Sequence, residues 1–74
     1  KIMYTIYTQS LCGYCHMAKK LLKEKEIEFI EIDLDYDQDA RKMLKEMGCK
    51  TVPQIFNEEQ HIGGYTDLNS LLSK

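Results

Sequence analysis

Apolar and polar positions along this chain follow two periods in turn, and the switches between them outline seven elements. Ile2-Met3-Tyr4-Thr5-Ile6-Tyr7 is rich in β-branched and aromatic residues and predicts a strand. Ala18, Leu21 and Leu22 recur at helical spacing as far as Lys25, with Lys19, Lys20 and Lys23 on other faces. This pattern predicts an amphipathic helix from near Gly13. Phe29-Ile30-Glu31-Ile32-Asp33 predicts a second strand. Ala40, Met43, Leu44 and Met47 sit at i, i+3, i+4 and i+7 and predict a second helix, capped by Asp37 or Asp39 and stopped by Gly48. That spacing assigns both methionines to packing. Gln54-Ile55-Phe56 and His61-Ile62 flank Asn57-Glu58-Glu59-Gln60, the pattern of an antiparallel hairpin. Gly63-Gly64 breaks the chain, and Asp67 is expected to cap a short last helix carrying Leu68, Leu71 and Leu72.

The order β-α-β-α-β-β-α predicts an α/β domain. Its first β-α-β unit should cross over right-handed and make a parallel pair. The hairpin adds antiparallel strands, giving a four-stranded mixed sheet with three helices distributed over its faces. No linker or repeat interrupts this order, and 74 residues imply a single domain over residues 1–74. Hydrophobic residues form 43% of the chain, enough for one core without disulfide staples. Three cysteines are too few, and odd in number, for a secreted disulfide framework. No apolar run is long enough to span a membrane and no signal-peptide pattern is present, so a reducing, cytoplasmic setting and no membrane partner are expected. The chain begins with Lys1, which is compatible with processing. A net charge of −2 argues against non-specific nucleic-acid binding.

Candidate chemistry concentrates at Cys12-Gly13-Tyr14-Cys15, directly after the first strand and at the start of the first helix. A helix start places Cys12 among backbone N–H groups that lack helical partners. Those groups and the helix dipole favour a thiolate, the nucleophile of thiol–disulfide chemistry. Cys15 lies one turn on, close enough to form a disulfide with modest adjustment.

Three segments together resemble a glutaredoxin: Cys12-Gly13-Tyr14-Cys15 at a strand–helix junction, Thr51-Val52-Pro53 before a strand, and Gly63-Gly64-Tyr65-Thr66-Asp67 before the last helix. The likeness covers essentially the whole chain and implies a thioredoxin-like fold. It implies a monomeric, glutathione-dependent thiol–disulfide oxidoreductase acting on glutathione mixed disulfides and protein disulfides. Cys12 is then the nucleophile and Cys15 the resolving thiol, with glutathione as co-substrate and glutathione reductase an indirect partner. The resemblance also assigns a glutathione site. Tyr14 walls the sulfur, and Thr51, Val52 and Pro53 offer backbone to the cysteinyl unit, with the Val52–Pro53 bond expected to be cis. Gly64 permits close backbone approach, while the Thr66 and Asp67 N–H groups and the Asp67 carboxylate suit the γ-glutamyl end.

The chain departs from the family pattern in two places. Gly13 stands where many glutaredoxins have proline, which stiffens that turn where glycine loosens it. Glycine here resembles members that hold a 2Fe-2S cluster between two protomers through Cys12 of each and two glutathione thiols. A cluster carrier is therefore one alternative function. A small redoxin reduced by thioredoxin reductase is another, suggested by the short length. The second departure is Gln9, which replaces a lysine commonly used for the glycine carboxylate of glutathione; Arg41 and Lys50 are candidates to compensate.

Other chemistry-bearing residues have simpler readings. Zinc at Cys12, Cys15, Cys49, His16 and His61 lacks a second ligand pair at the usual spacing. No metal site is therefore expected. Cys49 reads as an incidental loop thiol, with a regulatory or glutathionylated thiol as the alternative. His16 and His61 read as surface residues. The acidic run Glu31, Asp33, Asp35, Asp37 and Asp39 reads as solvation and helix capping. Tyr4 and Tyr7 belong to the core or a sheet face. Tyr65 lines the glutathione site or covers the hairpin.

Overall fold

The computed structural model describes residues 3–73; Ile2 of the predicted first strand lies outside them. Seven elements follow one another in the predicted order: β1 (Tyr4–Thr8), α1 (Gly13–Glu24), β2 (Phe29–Asp33), α2 (Gln38–Glu46), β3 (Gln54–Asn57), β4 (Gln60–Gly63) and α3 (Tyr65–Leu72). They form a four-stranded mixed sheet in the order β2-β1-β3-β4. β1 runs parallel to β2, from Tyr4 opposite Phe29 to Thr8 opposite Asp33, and antiparallel to β3. The β3–β4 hairpin closes through Glu58 and Glu59 alone, with a register shift between Ile55 and Phe56. Asn57 and Gln60, predicted for the turn, pair with one another across the strands.

The period-2 pattern of β1 sends Tyr4, Ile6 and Thr8 to one buried face. Ile6 and Tyr4 join Ala18 and Leu22 of α1, Ile55 of β3 and Leu68 of α3 in the main core, with Leu21, Phe29 and Ile62 packed around it. Ala18 has no exposed surface, and neither have the four large side chains Ile6, Leu22, Ile55 and Leu68. Each contributes roughly 1.5–3 kcal/mol through burial of its apolar side chain. Tyr7 points from the other face and meets Phe56 edge-on at 5.6 Å. Its phenol is pushed above the usual range by burial and by the Asp37 carboxylate.

α2 is capped by Asp37, whose Oδ1 accepts from the Ala40 N–H at 2.9 Å, and its chain reverses at Gly48 with φ 83°. Its expected packing methionines are corrected by the structure: Met43 is 39% and Met47 49% exposed, and Leu44 is the buried residue of the helix. Nine residues bearing Arg41, Lys42, Lys45 and Glu46 present a narrow apolar stripe, and one leucine fills it. The start of α3 is also corrected. Gly64 is the N-cap, and Asp67 is the third helical residue. Its Oδ2 accepts from the Gly64 N–H at 3.1 Å, the reaching-back half of a capping box. Glycine has no side chain to return the bond.

A polar clasp ties β1 to β2. The Thr8 hydroxyl donates to Glu31 at 2.7 Å, and Lys19 of α1 donates to the same oxygen at 3.1 Å. The Thr8 hydrogen bond, aided by Lys19 and against a smaller effect of burial, holds the Glu31 carboxyl below its usual range. A depressed carboxylate stabilises the fold fully above its unfolded pKa, about 4.3, and loses that contribution as pH falls through the lower folded value. Glu31→Gln is therefore expected to lower Tm by about 1–5 °C at pH 7. Thermal unfolding from pH 7 down to pH 3 should show the gap between parent and variant closing at the acid end.

Candidate functional site

The site forms where the N-termini of two helices and the turn before β3 converge. Cys12 is the N-cap of α1, in extended conformation, and its Sγ accepts from the Cys15 N–H at 3.1 Å. A sulfur is thus the capping group, seated at the positive end of the helix. No acidic residue occupies the first turn to oppose negative charge there. Cys12 and Cys15 are joined in a disulfide with a Cα–Cα separation of 5.3 Å. The two sulfurs differ in access: Cys12 is partly exposed, whereas Cys15 is 2% exposed.

Opposite the disulfide, the Val52–Pro53 bond is cis, and the Val52 carbonyl oxygen stands 3.8 Å from Cys12 Sγ. From that point a groove of about 680 Å³ runs to the start of α3. It is lined by all seven residues that the sequence assigned to a binding site: Tyr14, Thr51, Val52, Pro53, Gly64, Thr66 and Asp67. Gly64 packs beside the turn before β3: an added Cβ would lie 3.6 Å from the Pro53 carbonyl oxygen. At the far end, the N–H groups of Tyr65, Thr66 and Asp67 belong to the first turn of α3 and have no intrahelical acceptor. Tyr14 and Tyr65 stand on its rim with ring centres 6.0 Å apart.

Two features of the groove were not assigned from the sequence. Gln54 is buried and donates through Nε2 to the Thr51 carbonyl at 2.9 Å. That orientation turns Oε1 to His61, so His61 Nε2 carries a proton and donates to it at 2.7 Å. His61, read from the sequence as a surface strand residue, also stacks on Phe56 at 4.7 Å. Cys49 Sγ lies 3.9 Å from the same His61 nitrogen. A polar residue directly after Pro53, at the start of β3, is the sequence signal for this network. Gln9, Arg41 and Lys50 border a second hollow of about 370 Å³ that shares Cys49, Lys50, Thr51 and Val52 with the groove. Arg41 Nε donates to the Leu34 carbonyl at 3.3 Å, and its Nη2 lies 3.6 Å from Asp35. Among the described residues, no three His, Cys, Asp or Glu side chains come together as a metal site. No helix among them is long and apolar enough to cross a membrane.

A disulfide heading a helix, faced by a cis-proline turn across a four-stranded mixed sheet, defines the thioredoxin-like class of thiol–disulfide oxidoreductases. Within that class the glutaredoxin family model matches residues 4–62, and the chain belongs to the glutaredoxin family. Glutaredoxin 3 of Escherichia coli is 49% identical over 67 residues, covering 89% of this chain and 81% of the relative. The crystal structure of glutaredoxin 1 from Francisella tularensis, complexed with cacodylate, matches with a TM-score of 0.79 at 36% identity over 100% of both chains. The structure of a buckwheat glutaredoxin–glutathione complex matches with a TM-score of 0.81 at 28% identity, over 95% of this chain and 67% of that one.

Proposed function

We propose that this single domain is a glutathione-dependent oxidoreductase that reduces glutathione mixed disulfides and protein disulfides. The observation that carries this reading is the groove that runs from Val52, whose carbonyl oxygen stands 3.8 Å from Cys12 Sγ, to the start of α3. Its ends carry the complementary chemistry for a glutathionyl group, and a similar fold is known as a glutathione complex. The cysteinyl unit lies against Val52, pairing with its N–H and C=O as a peptide pairs with a strand edge. The γ-glutamyl carboxylate meets the Thr66 and Asp67 N–H groups, and the ammonium meets the Asp67 carboxylate. Arg41 and Lys50 supply the positive charge that Gln9 lacks for the glycine carboxylate.

In the reduced enzyme the Cys12 thiolate attacks the glutathione sulfur of a mixed disulfide. The new bond joins Cys12 to glutathione, and the substrate departs as a thiolate that takes a proton from water. A second glutathione attacks the glutathione sulfur, releases Cys12 as a thiolate and leaves as glutathione disulfide. With a protein disulfide, Cys15 resolves the Cys12–protein bond and closes the Cys12–Cys15 disulfide, which two glutathiones reopen.

The test couples the protein to glutathione, glutathione reductase and a glutathionylated peptide. Turnover is expected, and its absence while thioredoxin reductase supports activity would sink the reading. In the same assay Asp67→Ala should raise KM for the glutathionylated peptide about 3- to 10-fold with little change in kcat. An unchanged KM would remove Asp67 from the site.

A further inference from the structure

Leu11, immediately before the reactive cysteine, is unfavourable twice over in the isolated chain. Its backbone is in the left-handed region at φ 58°, which costs a non-glycine residue conformational energy. Its side chain is fully exposed, at 104% of the reference surface. Glycine or asparagine would serve the turn better, and neither is present.

The conformation is held from outside the turn. The Ser10 N–H donates to Asp35 Oδ2 at 3.1 Å, and the Ser10 hydroxyl donates to the same oxygen. Asp35 is itself anchored by Arg41 at 3.6 Å, and the neighbouring Leu34 N–H donates to the Thr8 carbonyl at 2.8 Å. The turn between β1 and α1 is thus latched to the segment after β2. Leu11 lies outside the groove that Tyr14 and Val52 line. Its full exposure keeps it out of the core.

Thiol–disulfide exchange fixes what can lie beside it. The substrate sulfur must reach bonding distance of Cys12 Sγ, and adjacent Cα atoms are about 3.8 Å apart. Residues flanking a substrate cysteine therefore pass within reach of a leucine side chain at position 11. A small disulfide has no such flank.

We propose that Leu11 is a specificity-determining contact for polypeptide substrates, packing against an apolar residue next to the substrate's disulfide cysteine. The Ser10–Asp35 latch is the positioning device that presents it. In the step concerned, the Cys12 thiolate attacks one sulfur of the peptide disulfide. A Cys12–peptide bond forms, the peptide S–S bond breaks, and its electron pair leaves on the other sulfur, which takes a proton from water. The proposal rests on this exchange alone and not on glutathione dependence.

The test is a single-turnover reaction of the reduced protein, without glutathione, against three substrates. Two are disulfide peptides differing only in leucine or serine beside the attacked cysteine, and the third is 2-hydroxyethyl disulfide. The parent should react about five-fold faster with the leucine peptide than with the serine peptide. Leu11→Gly should abolish that preference, keep the 2-hydroxyethyl disulfide rate within about two-fold, and leave Tm equal to or above the parent's, because glycine adopts this φ freely. Leu11→Met should keep the preference. A parent indifferent to the flanking residue overturns the proposal, as does a glycine variant that keeps the preference or one slowed equally with all three substrates. The glutathione-coupled assay above fails or succeeds independently of these outcomes.

Discussion

Cys12→Ser is expected to remove disulfide exchange, with a loss on the order of 10³-fold or more. Cys12 is the accessible sulfur of the pair, whereas Cys15 is 2% exposed. Its Sγ already accepts the Cys15 N–H at the head of α1, so a negative charge there replaces no existing contact. A serine hydroxyl can make the same cap, but it remains protonated at neutral pH and cannot attack sulfur usefully. The fold should therefore survive while the chemistry fails, with Tm of the reduced protein within a few degrees of the reduced parent. Cys15→Ser sets the contrast. It should retain activity toward glutathione mixed disulfides, which need one thiol, and lose reduction of peptide disulfides by the two-thiol route. Both rates are read in one coupled assay, and equal loss in the two variants would rule out the one-thiol step.

Gly63→Ala should produce the largest effect away from the sulfurs. Gly63 ends β4 at φ 122°, a conformation that L side chains rarely adopt. A Cβ there would run into the Asp67 carboxylate, with Asp67 Cγ only 2.9 Å away. The strained backbone costs about 1–3 kcal/mol. In a domain of this size that is a Tm lowered by roughly 5–20 °C. The same methyl pushes Asp67 off the Gly64 N–H, so KM for a glutathionylated peptide should rise alongside the stability loss. Gly64→Ala is the control. Its φ is −94° and its Cβ meets Pro53 at an ordinary 3.6 Å, so a smaller loss is expected. Equal losses at the two positions would show that the Asp67 collision is not what makes Gly63 necessary.

These residues also show how far the amino-acid pattern reaches. The element order was legible because each period is strong and the breaks carry glycine: Ala18 and Leu22 do face the core, and Gly48 does end the turn after α2. An aspartate near the start of a helix is less informative. It can cap the helix or sit three residues in and reach back, and Asp67 does the second. Periodicity identifies the apolar side of α2 but not how much chain covers it, so it assigns Met43 and Met47 to packing although both are exposed. The seven groove residues were legible because three short motifs carry them, and folding brings the motifs together. The Gln54–His61 hydrogen bond depends on the pairing of β3 with β4, including the register shift at Ile55–Phe56, and residue spacing does not encode that.

Among the described residues, the sheet order leaves β2 with a neighbour on one side only. An open strand edge offers unpaired backbone groups to any other extended chain, including a second copy of this one. β2 carries an exposed isoleucine, Ile30, that would favour such self-association. The strand also carries Glu31 and Asp33, and two copies aligned edge to edge would bring these like charges close together. The carboxylate that clasps Thr8 and Lys19 thus also sets like charge against like charge in any edge-to-edge pairing of β2. At pH values low enough to neutralise it, the stabilising contact and that repulsion would be lost together.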